Sequence, residues 1–285
     1  MPVNPEPNPV PRFWADLTTL QFAQRMASGE AAQTVAVLPV AAIEQHGPHL
    51  PLRVDAALVD GIVAACLPHL PPALPVLFLP TQAVGRSAEH ARFAGTLSLS
   101  AETVMRVWRE LGACVAQAGV KKLLLFNAHG GQVSLMDIVA RDLRTEHDLI
   151  VYASSWYSLP LGDEVQALFS AEEHRFGIHA GDIETSMMLA LHPERVAMGL
   201  ARHFHSSSQD RAARYAILGN GSSAKLGWQM QDYNPMGAAG NASAATAAKG
   251  QVVIAAAALQ LAKLLQEIAD LPLNTLVDGP CWDGL

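Results

Sequence analysis

The sequence predicts one α/β domain built on a mostly parallel central sheet with helices on both faces. Short, nearly continuous apolar runs recur along the chain, separated by longer segments of helical periodicity. The runs lack the alternation of a half-solvated strand, so they belong to strands buried on both faces. The chain has 285 residues, 50% hydrophobic and 16% charged. That is enough to bury one large core, and it excludes a disordered polymer.

Residues 1–12 are expected to form an extended Pro-rich arm, because alternate prolines from Pro5 to Pro11 fix φ and remove amide donors. A single domain is expected over 13–285. Trp14 to Met26 predicts an amphipathic helix with Trp14, Leu17, Phe22 and Met26 on its apolar face. Thr34 to Ile43 predicts a buried strand, Ala56 to Leu67 a helix, and Val76 to Leu79 a short strand. Ala101 to Ala118 predicts a helix closed by Gly119 at its C′ position. Lys122 to Phe126 and Leu149 to Ala153 predict strands on either side of a helix over Val133 to Thr145. Ile183 to Leu191 and Ala242 to Ile268 predict further helices. Gly219 to Gly240, rich in Gly, Ser and Asn with aromatics interleaved, predicts a long loop. No fixed-period repeat and no composition break divides the chain.

The charge pattern narrows the function. Nineteen Lys and Arg stand against 26 Asp and Glu, a net charge of -7, without a basic cluster. Nucleic-acid binding is therefore not expected. No uninterrupted apolar stretch approaches the roughly 20 residues of a membrane helix, and the N-terminus lacks a signal-peptide pattern. Cys66, Cys114 and Cys281 show no metal or redox spacing, which suits a reducing cytoplasm.

Three segments leave a buried run and at once deliver polar, metal-competent side chains. They are Glu44-Gln45-His46-Gly47-Pro48-His49-Leu50-Pro51 with Asp55, then Asn127-Ala128-His129-Gly130-Gly131-Gln132, then His179-Ala180-Gly181-Asp182-Ile183-Glu184. In open α/β sheets functional residues gather beyond the carboxyl ends of strands. Imidazole and carboxylate without thiolate suit borderline-hard divalent ions. Glu44 and His46, alternate residues at a strand end, can serve two adjacent ions, and Asp55 can bridge both. A lone histidine at a strand end is as a rule a hydrogen-bonded loop residue, the glycines after His129 can simply open a helix, and His49 can orient its loop by packing. Recurrence of the pattern at three strand ends favours a metal site over those readings.

The order and detail of these segments resemble the creatininase (creatinine amidohydrolase) family, from about Phe13 through the C-terminal helix. Glu44 to Pro51 with Asp55 matches its signature nearly letter for letter. Also similar are Gly85-Arg86-Ser87-Ala88-Glu89-His90 with Phe93 to Ser98, the Asn-x-His-Gly-Gly segment, His179-Ala180-Gly181 with Glu184 to Ser186, and Gly240-Asn241 with Ala245-Thr246 and Lys249-Gly250. The resemblance implies a three-layer α/β/α sandwich, two divalent metal ions per chain (Zn, Mn or Fe), and hydrolysis of a non-peptide C–N bond in a small (cyclic) amide or formamide. It implies that Glu44, His46, Asp55 and His129 are metal ligands with Asp55 bridging, and that His179 is the proton shuttle. It also implies a homo-oligomer, with a hexamer as the expected form, acting on a small molecule without nucleic acid or membrane.

The departures bear on substrate. Creatininase itself carries an acidic ligand two residues after the His of the second motif, where this chain has Gly131. The missing carboxylate is assigned to Glu184, in the first turn of a helix beginning at Ile183 with Asp182 as its N-cap. Glu89 and His90 are expected to contact substrate or to support the ligands. Trp156 is expected to supply one aromatic wall, while Glu173 to Ile178 carries no tryptophan. Arg175 and Arg86 point to a substrate with an anionic group. The segments Gly85 to His90 and His129 to Gly131 look closer to branches that include a formamide hydrolase and a peptidase trimming a cofactor precursor. Those alternatives, and a non-catalytic metal- or ligand-binding relative, stay open.

Overall fold

Alternate residues of the central strands enter two different cores, which is why these segments are apolar throughout. The computed structural model describes residues 10–282, so most of the Pro-rich segment expected over 1–12 lies outside the described residues. One parallel sheet has the order β2-β1-β3-β4, with β1 Val35–Val40, β2 Val76–Phe78, β3 Lys122–Asn127 and β4 Ile150–Ser155. β1 and β3 pair from Val35 opposite Lys122 to Val40 opposite Asn127, and β4 continues that register.

The main helices are α1 Thr19–Ser28, α2 Val54–Cys66, α3 Ala101–Gln117, α4 Val133–His147, α5 Ala171–Phe176, α6 Asp182–Leu191, α7 Ser207–Arg214 and α8 Ala247–Asp270. Val35, Val37, Leu124 and Phe126 point into a core shared with α2, α6 and α8. Ala36, Leu38, Val40, Leu123 and Leu125 point into a second core with Val104, Trp108 and Val115 of α3 and Met136, Val139 and Leu143 of α4. The result is the expected three-layer α/β/α sandwich. Trp108 is fully buried; emptying a site of that size typically costs about 3–5 kcal/mol.

Several boundaries differ from the sequence expectation for local reasons. The first helix begins at Thr19, because Thr18 and Gln21 form a capping box, and Trp14–Asp16 is a separate 3₁₀ turn. The last begins at Ala247, capped by the Thr246 side chain, and Ala242–Ala244 is again a 3₁₀ turn. By length and composition α8 would suit a membrane span, although Lys249, Gln251, Gln260 and Lys263 interrupt its apolar runs. Its buried residues, among them Gly250, Val253, Ala257 and Leu261, belong to the core against α2 and α6. Gly250 permits that approach: a Cβ there would lie 1.9 Å from the Ser186 carbonyl oxygen on α6.

Asp182 is not an N-cap. Gly181 holds that position, and the helix begins at Asp182 itself. The Asp182 carboxylate instead accepts from Lys249 Nζ at 2.7 Å and from Ser186 Oγ at 3.0 Å. A partly buried ammonium from α8 therefore competes successfully for the carboxylate.

Candidate metal centre

The sheet order places a switch point between β1 and β3. From β1 the chain moves outward to β2, and β3 lies on β1's other side with β4 beyond it. Segments leaving the carboxyl ends of β1 and β3 therefore diverge and leave a crevice. The first carries Glu44, Gln45 and His46, and the second carries His129. The first turn of α2 adds Asp55, and the loop into α6 adds His179 and Glu184. A further loop is tied to the first segment by Leu97 N donating to Ile43 O at 2.8 Å and Gln45 N donating to Thr96 Oγ1 at 3.1 Å. It brings Glu89 and His90, both buried.

These residues converge. Glu44 with His46 and Asp55, Glu44 with Glu89 and His129, His46 with His179 and Glu184, and Glu44 with His90 and His179 each offer ligand atoms within 4.8 Å of one another. His46 Nε2 lies 3.3 Å from Asp55 Oδ1, and His129 Nδ1 lies 3.3 Å from both Glu44 Oε2 and Asp55 Oδ2. Glu44 Oε2, His46 Nε2, Asp55 Oδ2 and Glu89 Oε1 are nevertheless buried without a hydrogen-bond partner. Buried polar atoms are costly when unpaired. Donor atoms facing one another across such gaps fit a cation placed between them.

Backbone acceptors fix which imidazole nitrogen faces the centre, since a carbonyl can only accept. His46 Nδ1 donates to Glu44 O at 3.0 Å, leaving the Nε2 lone pair on the centre. His129 Nε2 donates to Arg86 O at 2.8 Å, leaving Nδ1. His179 Nε2 donates to Gln45 O at 2.7 Å, again leaving Nδ1, which lies 3.8 Å from Glu44 Oε1. His90 is different. Gln45 Oε1 accepts from Gly47 N, which turns Gln45 Nε2 to donate to His90 Nδ1 at 2.7 Å. His90 Nε2 then carries the proton and faces Glu44 Oε1 at 3.3 Å. His90 is thus a donor that positions Glu44 and offers the centre no lone pair.

The electrostatics express a demand for positive charge. Burial opposes charging His46 and His129, but the surrounding carboxylates prevail. Asp55 and its neighbours hold His46 at about 9, and Glu44 and Asp55 raise His129 well above its ordinary value. Against the same burial, His129 and His46 hold Asp55 down to about 2. Burial pushes Glu184 up to about 7, with His46 pulling the other way. His179 is held well below the usual imidazole range by burial and by the charges of His46 and His90. Among the described residues, the ion-pair partners of Glu44, Asp55 and Glu89 are all histidines. Buried carboxylates compensated only by imidazoles suit divalent ions.

Above the centre lies a cavity of about 610 Å³. Glu44, Glu89, His90, His129 and His179 line its inner end, and Arg175, Arg211 and Lys225 line the rest with Trp228 and Tyr233. Arg175 is therefore on the wall, donating to Gly219 O at 3.3 Å. Arg86 does not line the cavity: its backbone carbonyl accepts from His129 and its backbone N donates to Gln132 Oε1 at 3.3 Å. Trp156 does not line the cavity: it is buried in the core shared by α2 and α8, because β4 ends with its next side chain directed inward. The aromatic wall comes instead from Trp228, 6.3 Å from the His90 ring and edge-on to it. The signal was present in the aromatics of the Gly/Ser-rich stretch, but not their placement.

Two further residues escaped sequence reasoning. Arg211, on α7, lies over the Tyr233 ring at 4.9 Å, and its Nη2 is buried without a partner. Glu173, on α5, accepts from Ile183 N at 3.3 Å and Asn241 N at 2.9 Å. It pins the start of α6 and so the loop that carries His179. In that loop Ala180 adopts a left-handed conformation, φ 54°, and donates to Glu184 Oε2 at 2.6 Å. A non-glycine residue held there costs energy that the surrounding contacts must offset. His49 packs on Phe204 and bonds Thr185 Oγ1 at 2.9 Å, outside the ligand groups.

Fold and centre together define a class: a three-layer α/β/α protein with a buried acid–imidazole centre at a topological switch point. The family model for creatininase (creatinine amidohydrolase) matches residues 15–265, and the chain belongs to that family. A mycofactocin precursor peptide peptidase of Mycobacterium tuberculosis (strain ATCC 25618 / H37Rv) is 33% identical over 168 residues. That match covers 56% of this chain and 59% of the relative, so it spans less than two-thirds of the relative's length. The creatinine amidohydrolase of Pseudomonas putida is 30% identical over 195 residues, covering 65% of this chain and 73% of that protein. The solved structure of a manganese creatininase superposes with a TM-score of 0.73 at 23% identity, over 92% of this chain and all of that one. At that identity the likeness speaks to fold.

Proposed function

We propose that this chain is a metal-dependent amidohydrolase that binds two divalent ions and cleaves the amide C–N bond of a substrate bearing an anionic group. One observation carries the reading: partnerless carboxylate and imidazole atoms meet at the floor of a cavity whose mouth is lined by three cations. Glu44, His46, Asp55, His129 and Glu184 would hold the ions, which when bound lower the pKa of water and polarise an amide carbonyl.

The remaining roles belong to the chain. His179 stays neutral through burial, keeps its Nε2 proton on Gln45 O, and presents Nδ1 as a proton acceptor that can then protonate the departing nitrogen. His90 steadies Glu44 through its Nε2 proton. Trp228 and Tyr233 offer apolar surface to the substrate. Arg211 and Arg175 meet its anionic group, where a guanidinium can grip a carboxylate with two hydrogen bonds.

The cavity size favours a peptide-like substrate over a single small ring, and one relative is named as a peptidase of a precursor peptide. The restriction to non-peptide C–N bonds is therefore not part of this reading, although a small cyclic amide or formamide remains its second form. Elemental analysis paired with an amide panel is the test: short peptides with a free C-terminus, the same peptides amidated, formamides and creatinine. The expected result is close to two ions per chain, loss of activity to chelators, and preference for free carboxylates. Full activity in metal-free protein sinks the metal mechanism. Two bound ions with no turnover of any amide favours a non-catalytic binding protein.

A further inference from the structure

We propose that Glu89 replaces, from a different loop, the carboxylate that a side chain at position 131 would bring to the centre, and that residue 131 is glycine for that reason. The inference rests on the metal reading above and adds a ligand to it.

The geometry is one of mutual exclusion. A Cβ built on Gly131 would lie 1.6 Å from Glu89 Oε1, 2.6 Å from its Cδ and 2.6 Å from His129 Nε2, with the carboxylate oxygen much the closest. Both cannot occupy that space, and the Glu89 carboxylate already fills it. The same Oε1 is buried without a hydrogen-bond partner, lies 3.2 Å from His129 Nε2, and shares a group of ligand atoms with Glu44 and His129. His129 Nε2 already donates to Arg86 O, so its proton is not fully available to Glu89. A carboxylate oxygen left unpaired at 8% residue exposure, beside two ligand-type side chains, is placed to meet a cation.

Glu184 serves a separate part of the centre. It belongs to the group with His46 and His179, and one oxygen accepts from Ala180 N. The two acids therefore approach from opposite loops: Glu89 joins the ion on the His129 side, and Glu184 the ion on the His46 side. Gly131 is then a permissive position, required by a neighbour's side chain and not by its own backbone angles.

The test is metal binding in Glu89→Gln, Gly131→Ala and the double variant, with circular dichroism reporting the fold. Stoichiometry comes from elemental analysis and affinity from chelator competition with Co²⁺, whose absorption spectrum reports ligand number. Disturbing a group that merely supports a ligand typically costs 10–100-fold in metal affinity; loss of Glu89 should weaken one ion by more than about 100-fold and leave the other nearly unchanged. Gly131→Ala should weaken the same ion by displacing an intact Glu89, and the double variant should then lose little more than either single one. Should Glu89→Gln unfold, Glu89→Asp must show one weakened ion and an altered Co²⁺ spectrum. Two ions held with wild-type affinity and spectrum by either Glu89 variant overturn the proposal while leaving the metal reading intact. A wild-type chain that takes up no ion overturns both.

Discussion

The two ends of the cavity are made from opposite kinds of chain. Its floor is acidic, buried, and assembled from segments that leave β1 and β3, from the starts of α2 and α6, and from the loop that brings Glu89 and His90. Its mouth is cationic and aromatic, drawn from α5, α7 and the loop through Gly219 to Trp228. At the floor each imidazole has one nitrogen tied to a backbone carbonyl or to Gln45, so side-chain directions are set before any ligand arrives. At the mouth Arg175 makes one 3.3 Å hydrogen bond and lies over the Phe176 ring, and one Arg211 nitrogen has no partner. Reaction chemistry needs fixed geometry, whereas a substrate group can complete the coordination of waiting cations.

That contrast can be broken at either end. The largest effect is expected at the floor: His179→Ala should cut turnover by about 10²–10⁴-fold, the usual contribution of a positioned acid or base, while both ions remain. Metal loss in parallel with activity would instead make His179 a ligand, a role its membership of two ligand groups also permits. Asp55→Asn, by contrast, should weaken both ions together. At the mouth, Arg211→Ala should raise KM for a carboxylate-bearing amide by about 10–100-fold, the range for a hydrogen bond to a charged group. It should leave kcat, metal content and the amidated control substrate nearly unaltered. Equal losses on charged and amidated substrates would remove Arg211 from anion recognition.

The smallest effect sharpens the comparison just beneath the floor. Burial, aided by the charge of His46, holds His49 down to about 4. Below an unfolded pKa of about 6.5 the unfolded chain gains a proton that folded His49 refuses. Stability from this group is therefore complete above about 6.5 and is lost as pH falls towards 4, by about 3 kcal/mol. Denaturant melts of metal-free protein should show a shallower fall over that window in His49→Gln than in wild type. Identical slopes would mean that His49 does not control acid sensitivity.

Sequence alone determined the layers and most of the floor. Buried strands declare themselves by unbroken apolarity over a few residues, and helices by their period. Glu44, His46 and Asp55 lie within a dozen residues, so one strand end and the next helix must bring them close. What only the tertiary structure decided involves partners distant in the chain. His179 takes its tautomer from Gln45, 134 residues away, and Asp182 gives up capping for Lys249, 67 residues away. Trp156 turned into the core while Trp228 reached the cavity, and Arg211 arrived there from an exposed-looking helix. The space beside Gly131 went to Glu89. Periodicity and short-range spacing report local backbone preference, but which side chain fills a given volume depends on every loop that packs around it.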